Sequence, residues 1–179
     1  MRIPFAAALA APLAGCALFA PRPTPVPPAP PPAALGGAHA AQQRVSIAFS
    51  GGALALDCAL EAGGGVVRIV GLAPSGQRLF TLESSGAVLT FDAPQWPPQF
   101  PAAQLLADVE LVLWPQAAWT AALAGSDWTL EAPEPGLRRL RFKGALIEEA
   151  RLAADPWRGH STLVNFAGDY SLDVRSARP

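Results

Sequence analysis

The chain has 179 residues and a formal net charge of −1, from 13 lysines and arginines against 14 aspartates and glutamates. This balance argues against a nucleic-acid partner, because phosphate-binding proteins carry a clear excess of basic residues. Of the two histidines, one lies in the proline-rich N-terminal part, and Cys58 lies on an apolar face, so these residues do not supply the three or four ligands that a transition-metal site requires. We therefore expect no metal and no other cofactor.

The N-terminus has the pattern of an export signal. A basic start precedes an apolar run at residues 3–14, which is too short to cross about 30 Å of hydrocarbon as a helix. The tetrapeptide Leu-Ala-Gly-Cys that ends at Cys16 resembles the lipobox of bacterial lipoproteins. The resemblance implies that residues 1–15 are a signal peptide and that Cys16 carries the lipid anchor. Because residue 17 is Ala17 and not aspartate, it also implies delivery by the lipoprotein sorting machinery to the outer membrane, facing the periplasm.

A proline-rich segment follows the cysteine. Eight of the twelve residues from Pro21 to Pro32 are proline, which removes amide donors and fixes φ. This composition favours a polyproline II spacer. We therefore interpret residues 16–43 as the lipidated cysteine and a tether, with His39 solvated in it, and residues 44–179 as a single periplasmic domain.

The first half of this domain alternates apolar and polar residues. The alternation predicts strands at 44–50, 53–61, 65–72, 77–83 and 87–92, separated by turn residues. Cys58 shares a face with Leu56 and Leu60, so we expect a buried structural thiol. With Cys16 lipidated, Cys58 would have no disulfide partner.

The middle of the domain breaks the alternation. The segment 93–103 contains four prolines and cannot be a central strand. Residues 102–114 fit helical and strand spacing alike, and we favour a strand at 107–114. Residues 115–124 predict a helix, with a proline in its first turn and Trp119 and Leu123 on its inner face.

Alternation resumes at the C-terminal end, where strands are predicted at 127–132, 137–142, 145–153, 161–166 and 169–176. About ten strands and one or two helices indicate a mainly β fold. We expect a highly curved antiparallel sheet, an incomplete β-barrel, with one or two short helices against its concave face.

Four stretches carry a family likeness: "GLAPSGQRLFTLE", "LLADVELVLWP", "LRRLRFKGALIEEA" and "TLVNFAGDYSLDV". In this order and spacing they resemble an uncharacterised family of Gram-negative outer-membrane lipoproteins often encoded within aryl-polyene pigment clusters. That family looks distantly similar to LolA and LolB, periplasmic carriers with an incomplete barrel closed by helices over an apolar cavity. The resemblance implies a lipid or polyene ligand.

The sequence offers no catalytic set. Asp155, His160 and Ser161 supply the residue types of a triad, but a nucleophile and a base adjacent on extended backbone point apart. Glu148 and Glu149 are separated in the same way. We therefore expect no catalytic residue and no enzyme.

Aromatic side chains are the candidates for a ligand site. Trp96 and Phe100 lie in the proline-rich loop, where they either close the mouth of an apolar cavity or cap the edge of the sheet. Together with Trp119 and Leu123 on the predicted helix, they form the expected lid.

A basic strand is the second candidate. Arg139, Arg141 and Lys143 share one strand face. They form either an ordinary solvated face or a contact for an anionic head group.

Two functions fit these features. The first is a non-enzymatic binding or transport module for an amphipathic lipid, such as an aryl-polyene lipid, at the periplasmic face of the outer membrane. The second is a structural or scaffolding lipoprotein of an export or biosynthesis complex that has no ligand of its own.

Overall fold

The structure, a computed structural model, describes residues 24–177 and residue 179. The predicted signal peptide at residues 1–15 and the predicted lipidation site Cys16 lie outside the described residues. In the part of the chain that is described, no helix is long and apolar enough to span a membrane.

The first five strands form an antiparallel meander, as the alternation predicted. The turn between the second and third strands consists of Gly64 and Gly65, both with positive φ, 59° and 80°. This two-residue hairpin geometry favours glycine. The strands are β1 (His39–Phe49), β2 (Gly52–Gly63), β3 (Val66–Leu72), β4 (Arg78–Ser84) and β5 (Leu89–Asp92).

Two helices follow, α1 (Ala102–Leu113) and α2 (Gln116–Leu123). The second confirms the helix predicted at 115–124. The strand favoured at 107–114 is wrong, because this segment belongs to α1. Since α1 is buried on most of its circumference, it has no continuous polar face, and the usual amphipathic signature of a helix is missing.

The second half of the domain is another antiparallel meander. Its first strand begins at Trp128 and its last contains Tyr170, as predicted within a few residues. The strands are β6 (Trp128–Glu131), β7 (Leu137–Phe142), β8 (Ala145–Arg151), β9 (Gly159–Asn165) and β10 (Tyr170–Ala177).

The two meanders join into one antiparallel sheet through the pairing of β1 with β10. The strand order is β5-β4-β3-β2-β1-β10-β9-β8-β7-β6, so β5 and β6 are the edges and the described sheet is open. The helices form the connection between these two edges. Helix α1 meets the buried faces of strands from both meanders, which requires the sheet to curve around it. The predicted fold class, an incomplete antiparallel barrel with short helices on its concave face, is confirmed.

Part of the proline-rich segment packs on the domain. Pro27, Pro30 and Pro32 are buried, and a 3₁₀ turn at Pro32–Leu35 contacts β2 and β3. Strand β1 begins at His39, five residues before the predicted boundary at 44. His39 therefore lies in β1 and not in the tether, and its partly exposed ring stacks on Trp157 with a centroid distance of 4.7 Å.

Candidate functional site

A narrow groove lies between α1 and the concave face of the sheet. Leu105, Val109 and Val112 line it from the helix, and apolar side chains of β1, β2, β3, β4 and β10 line it from the sheet. Its volume is about 40 Å³, which is room for only a few water molecules. The groove is therefore closed to any alkyl chain unless α1 moves away from the sheet.

Three polar side chains interrupt this apolar lining: Gln43 on β1, Cys58 on β2 and Asp108 on α1. Cys58 is a free, buried thiol, as predicted, and burial raises its pKa to about 12. A thiol with this pKa stays protonated at neutral pH and is a poor nucleophile.

Asp108 is the centre of a buried polar cluster, which we define as Gln104, Asp108, Glu148, Asn165 and Tyr170. The first two side chains come from α1, and the others come from β8, β9 and β10 in turn. Exposure ranges from 0% for Glu148 and Asn165 to 7% for Tyr170. The cluster therefore lies where the helix meets the second meander.

Hydrogen bonds connect every member of the polar cluster. The Gln104 amide donates to Asp108 at 2.9 Å and to Glu148 at 2.6 Å. The Tyr170 hydroxyl donates to Asp108 at 2.6 Å. The Asn165 amide donates to Glu148 at 2.9 Å and to the Tyr170 oxygen at 3.1 Å. Two of these bonds, Gln104 to Glu148 and Tyr170 to Asp108, fasten α1 to the sheet.

Burial changes the protonation of both carboxyl groups. It raises the pKa of Asp108 to about 7, although the hydrogen bonds from Tyr170 and Gln104 oppose this shift. Burial and the nearby charge of Asp108 raise the pKa of Glu148 well above its ordinary value. Gln104 Oε1 and Glu148 Oε2 are buried and have no hydrogen-bond partner among the described residues. The cluster thus retains hydrogen-bonding capacity that the protein itself does not use.

Glu110 is a separate buried carboxyl group on α1. It is 1% exposed, and neither of its carboxyl oxygens has a hydrogen-bond partner in the described chain. Burial raises its pKa to about 8. Glu110 does not line the groove, so it provides a control for Asp108, which does.

Trp96 and Phe100 are packed into the core, with exposures of 8% and 6%. Trp96 stacks edge-on against Phe80 at 4.7 Å and donates its indole N–H to the Phe100 carbonyl at 2.8 Å. Phe100 continues the aromatic packing to Tyr170 at 5.3 Å. Phe80 lines the groove, and Tyr170 belongs to the polar cluster. Trp96 and Phe100 therefore pack against one residue of each feature.

Trp119 and Leu123 are buried on the inner face of α2, but they lie outside the groove. The Trp119 indole N–H donates to the Glu110 carbonyl at 3.0 Å, so α2 braces the C-terminal half of α1. The helix that covers the groove is α1, and α2 packs beside β6.

The predicted basic strand is matched by acidic neighbours. Arg139 pairs with Glu149 at 2.8 Å, and Arg141 pairs with Glu131 at 2.9 Å. Lys143 lies 3.4 Å from Asp127. These pairs give the face an alternating charge pattern without a basic patch, which is the arrangement of a solvated face.

His160 and Ser161, two residues of the triad considered above, each have another partner. His160 is exposed and bonds to Asp173 at 2.6 Å. Ser161 is buried, and its hydroxyl accepts the Ala153 amide N–H at 3.0 Å. Within the described residues, no group of three or more histidine, cysteine, aspartate or glutamate side chains is arranged to hold a metal ion.

Sequence reasoning missed most of the polar cluster. Gln104 and Asp108 stand four residues apart in a mostly apolar helix, which is the spacing of a helical polar pair. In the sequence, Glu148 stands out only as half of an adjacent carboxylate pair. Its neighbour Glu149 faces the other side of the strand, as expected, and pairs with Arg139. Asn165 and Tyr170 carried no local signal, because their carboxyl partners, Glu148 and Asp108, lie elsewhere in the chain.

Residues 40–178 match the family described as protein of unknown function (DUF3261). The chain belongs to this family. No curated protein matches the chain. One solved structure with a similar fold is a domain from Vibrio parahaemolyticus, described provisionally as an outer membrane lipoprotein-sorting protein. The similarity has a TM-score of 0.42 at 9% identity and covers 79% of this chain and 83% of that one.

Proposed function

We propose that this domain is a non-enzymatic binding module for the hydrocarbon chain of an amphipathic lipid. The observation that carries the proposal is the apolar groove between α1 and the concave sheet, which is closed by a single helix. An apolar surface of this kind is stable in water only when covered, either by α1 or by a ligand.

Binding requires α1 to separate from the first meander, because the closed groove holds only about 40 Å³. The polar cluster attaches α1 to the second meander through hydrogen bonds. On the groove side, the half-buried Leu105 and Val109 face mainly apolar side chains of the sheet. We infer that this side opens while the polar cluster remains bonded.

The cellular setting belongs to the same proposal. Lipidation of Cys16 would anchor the chain in the outer membrane with the domain in the periplasm, where the groove would take up or release a lipid. An aryl-polyene lipid is the specific ligand suggested by the four sequence stretches that resemble lipoproteins of pigment clusters.

The small groove also favours a second function, a structural lipoprotein that holds a partner of an export or biosynthesis complex and binds no ligand. A filled interior is what a purely structural domain would have. The two functions differ in whether an apolar molecule enters beneath α1.

A dye-binding experiment separates them. The full chain is titrated with N-phenyl-1-naphthylamine, a neutral dye that becomes fluorescent in apolar surroundings. Val109→Trp places a large ring in the groove, whereas Ala103→Trp places the same ring on the exposed face of α1. Both variants keep residues 1–23, so any dye that binds there is common to both.

Lipid binding predicts that Val109→Trp weakens dye binding at least tenfold and that Ala103→Trp leaves it within twofold of the unsubstituted chain. Equal binding by both variants, or no binding by the unsubstituted chain, would favour the structural function. Circular dichroism checks that each variant is folded.

A further inference from the structure

Asp108 belongs to two features at once. Its side chain lines the apolar groove, and its carboxyl oxygens accept hydrogen bonds from Gln104 and Tyr170 in the polar cluster. A ligand chain that lies in the groove would therefore reach a buried polar environment at Asp108. The inference below rests on the proposed lipid-binding function and concerns which head group the site accepts.

The side chains of the polar cluster offer more hydrogen-bond acceptor positions than donors. The amides of Gln104 and Asn165 supply two N–H groups each, and the Tyr170 hydroxyl supplies one O–H. All of these donors are used inside the cluster. The unused side-chain atoms are oxygens, Gln104 Oε1 and Glu148 Oε2, both fully buried. The Gln104 oxygen can only accept a hydrogen bond, whereas the Glu148 oxygen accepts in the ionised form and can carry the proton in the neutral form that the raised pKa favours.

A buried acceptor without a donor, such as Gln104 Oε1, is unfavourable, because it loses its hydrogen bonds to water and gains none in the protein. A ligand group that brings its own hydrogens would restore those bonds. We propose that the polar cluster is a subsite for a hydrogen-bond-donating head group, a hydroxyl or a primary amine, attached to the chain that occupies the groove.

The same surroundings disfavour an anion. No arginine or lysine among the described residues makes a hydrogen bond or an ion pair with a cluster side chain. The basic strand residues Arg139 and Arg141 are engaged with acidic partners. A carboxylate or phosphate brought next to Asp108 and Glu148 would lose its hydration without gaining a counter-charge.

The protonation of Asp108 suits a donor. With a pKa of about 7, both of its forms are populated near neutral pH. The ionised form attracts an ammonium group, and both forms can accept a hydrogen bond from a hydroxyl.

The test compares three ligands that share a ten-carbon chain: decan-1-ol, decylamine and decanoate. Each displaces N-phenyl-1-naphthylamine from the full chain at pH 7. The alcohol or the amine, or both, should displace the dye at a concentration at least tenfold lower than decanoate does. Displacement by the amine alone would identify an ammonium group, and displacement by both would identify a general donor.

Three substitutions locate the effect. Two of them, Asp108→Asn and Glu148→Gln, replace a carboxyl group with an isosteric amide that brings donors of its own. Either substitution should reduce the preference for the alcohol or the amine over decanoate to threefold or less. Glu110→Gln is the matched control, because it neutralises a buried carboxyl group on the same helix away from the groove. It should leave the preference unchanged.

Failure of this inference is distinct from failure of the proposed function. If all three ligands displace the dye equally, or if decanoate is preferred, the groove binds chains but the cluster does not select the head group. A preference that survives both Asp108→Asn and Glu148→Gln also contradicts the inference. If the dye does not bind at all, the proposed function itself is wrong.

Discussion

Replacing Glu110 with glutamine should make the domain more stable, by an amount that depends on pH. In the folded state burial raises the pKa of Glu110 from 4.5 to about 8, while in the unfolded chain the ordinary value applies. Between these two values the folded state holds a proton that the unfolded state has released. The free energy of unfolding therefore falls as pH rises from about 4.5 to about 8 and changes little outside this window.

The magnitude follows from about 1.36 kcal/mol per pKa unit. For Glu110 the lost stability reaches about 3 kcal/mol at pH 7 and about 5 kcal/mol above pH 8. Asp108 and Glu148, whose pKa values are also raised, act in the same direction. Glutamine has nearly the same shape and no charge, so the variant removes the contribution of Glu110 alone.

Urea unfolding followed by tryptophan fluorescence at pH 5, 6, 7 and 8 measures the difference. The variant and the unsubstituted chain should differ little at pH 5, and the variant should gain about 3 kcal/mol by pH 7. A difference that is constant across this range would refute the reasoning, as would a less stable variant at pH 8.

Four other substitutions give separate outcomes. Trp96→Ala should cost about 3–5 kcal/mol in urea unfolding, because the ring is buried; a loss below 1 kcal/mol would mean that the ring is not part of the core. Tyr170→Phe should cost about 1–3 kcal/mol at pH 7, because Asp108 loses its 2.6 Å hydrogen bond, and unchanged stability would show that this bond does not hold α1. Cys16→Ala should leave an unlipidated, uncleaved precursor, visible by mass spectrometry. If this variant still fractionates with the outer membrane, the predicted lipid anchor is wrong. Ala17→Asp should retain the lipidated protein at the inner membrane.

Periodicity was sufficient for the strands but not for the central helix. On the strands one side is buried and the other meets water, so alternate residues such as Val45 and Ile47 differ in character from those between them. Helix α1 is enclosed by the sheet, and its sequence contains almost no solvent-facing residues from which a period could be read. The prolines Pro101 and Pro115, which bound the segment, fit either a strand or a helix.

The sequence singled out the aromatic candidates Trp96 and Phe100 but did not predict what their side chains contact. Trp96 and Phe100 stood out because bulky rings in a proline-rich loop need a partner. Their partner, Phe80, packs so closely on Gly71 that a β-carbon there would lie 2.2 Å from the ring. The contact between Trp96 and Phe80 joins the loop to the sheet, and no local pattern in the sequence predicts it.

The polar cluster could not be predicted for a related reason. Its members come from one helix and three strands, and the pair formed by Asp108 and Tyr170 spans 62 residues. Their residue types are common on protein surfaces, and only the fold reveals that they are buried together. The sequence indicated an apolar concavity, and the structure adds the buried polar groups beside it.

Native mass spectrometry of the full chain purified from bacterial envelopes tests the central claim most directly. If the groove beneath α1 holds a lipid, the spectrum should contain a noncovalent adduct of lipid mass in addition to any covalent anchor. That adduct should be lost in Val109→Trp and retained in Ala103→Trp. A spectrum without an adduct, or an adduct that persists equally in both variants, would contradict binding beneath α1.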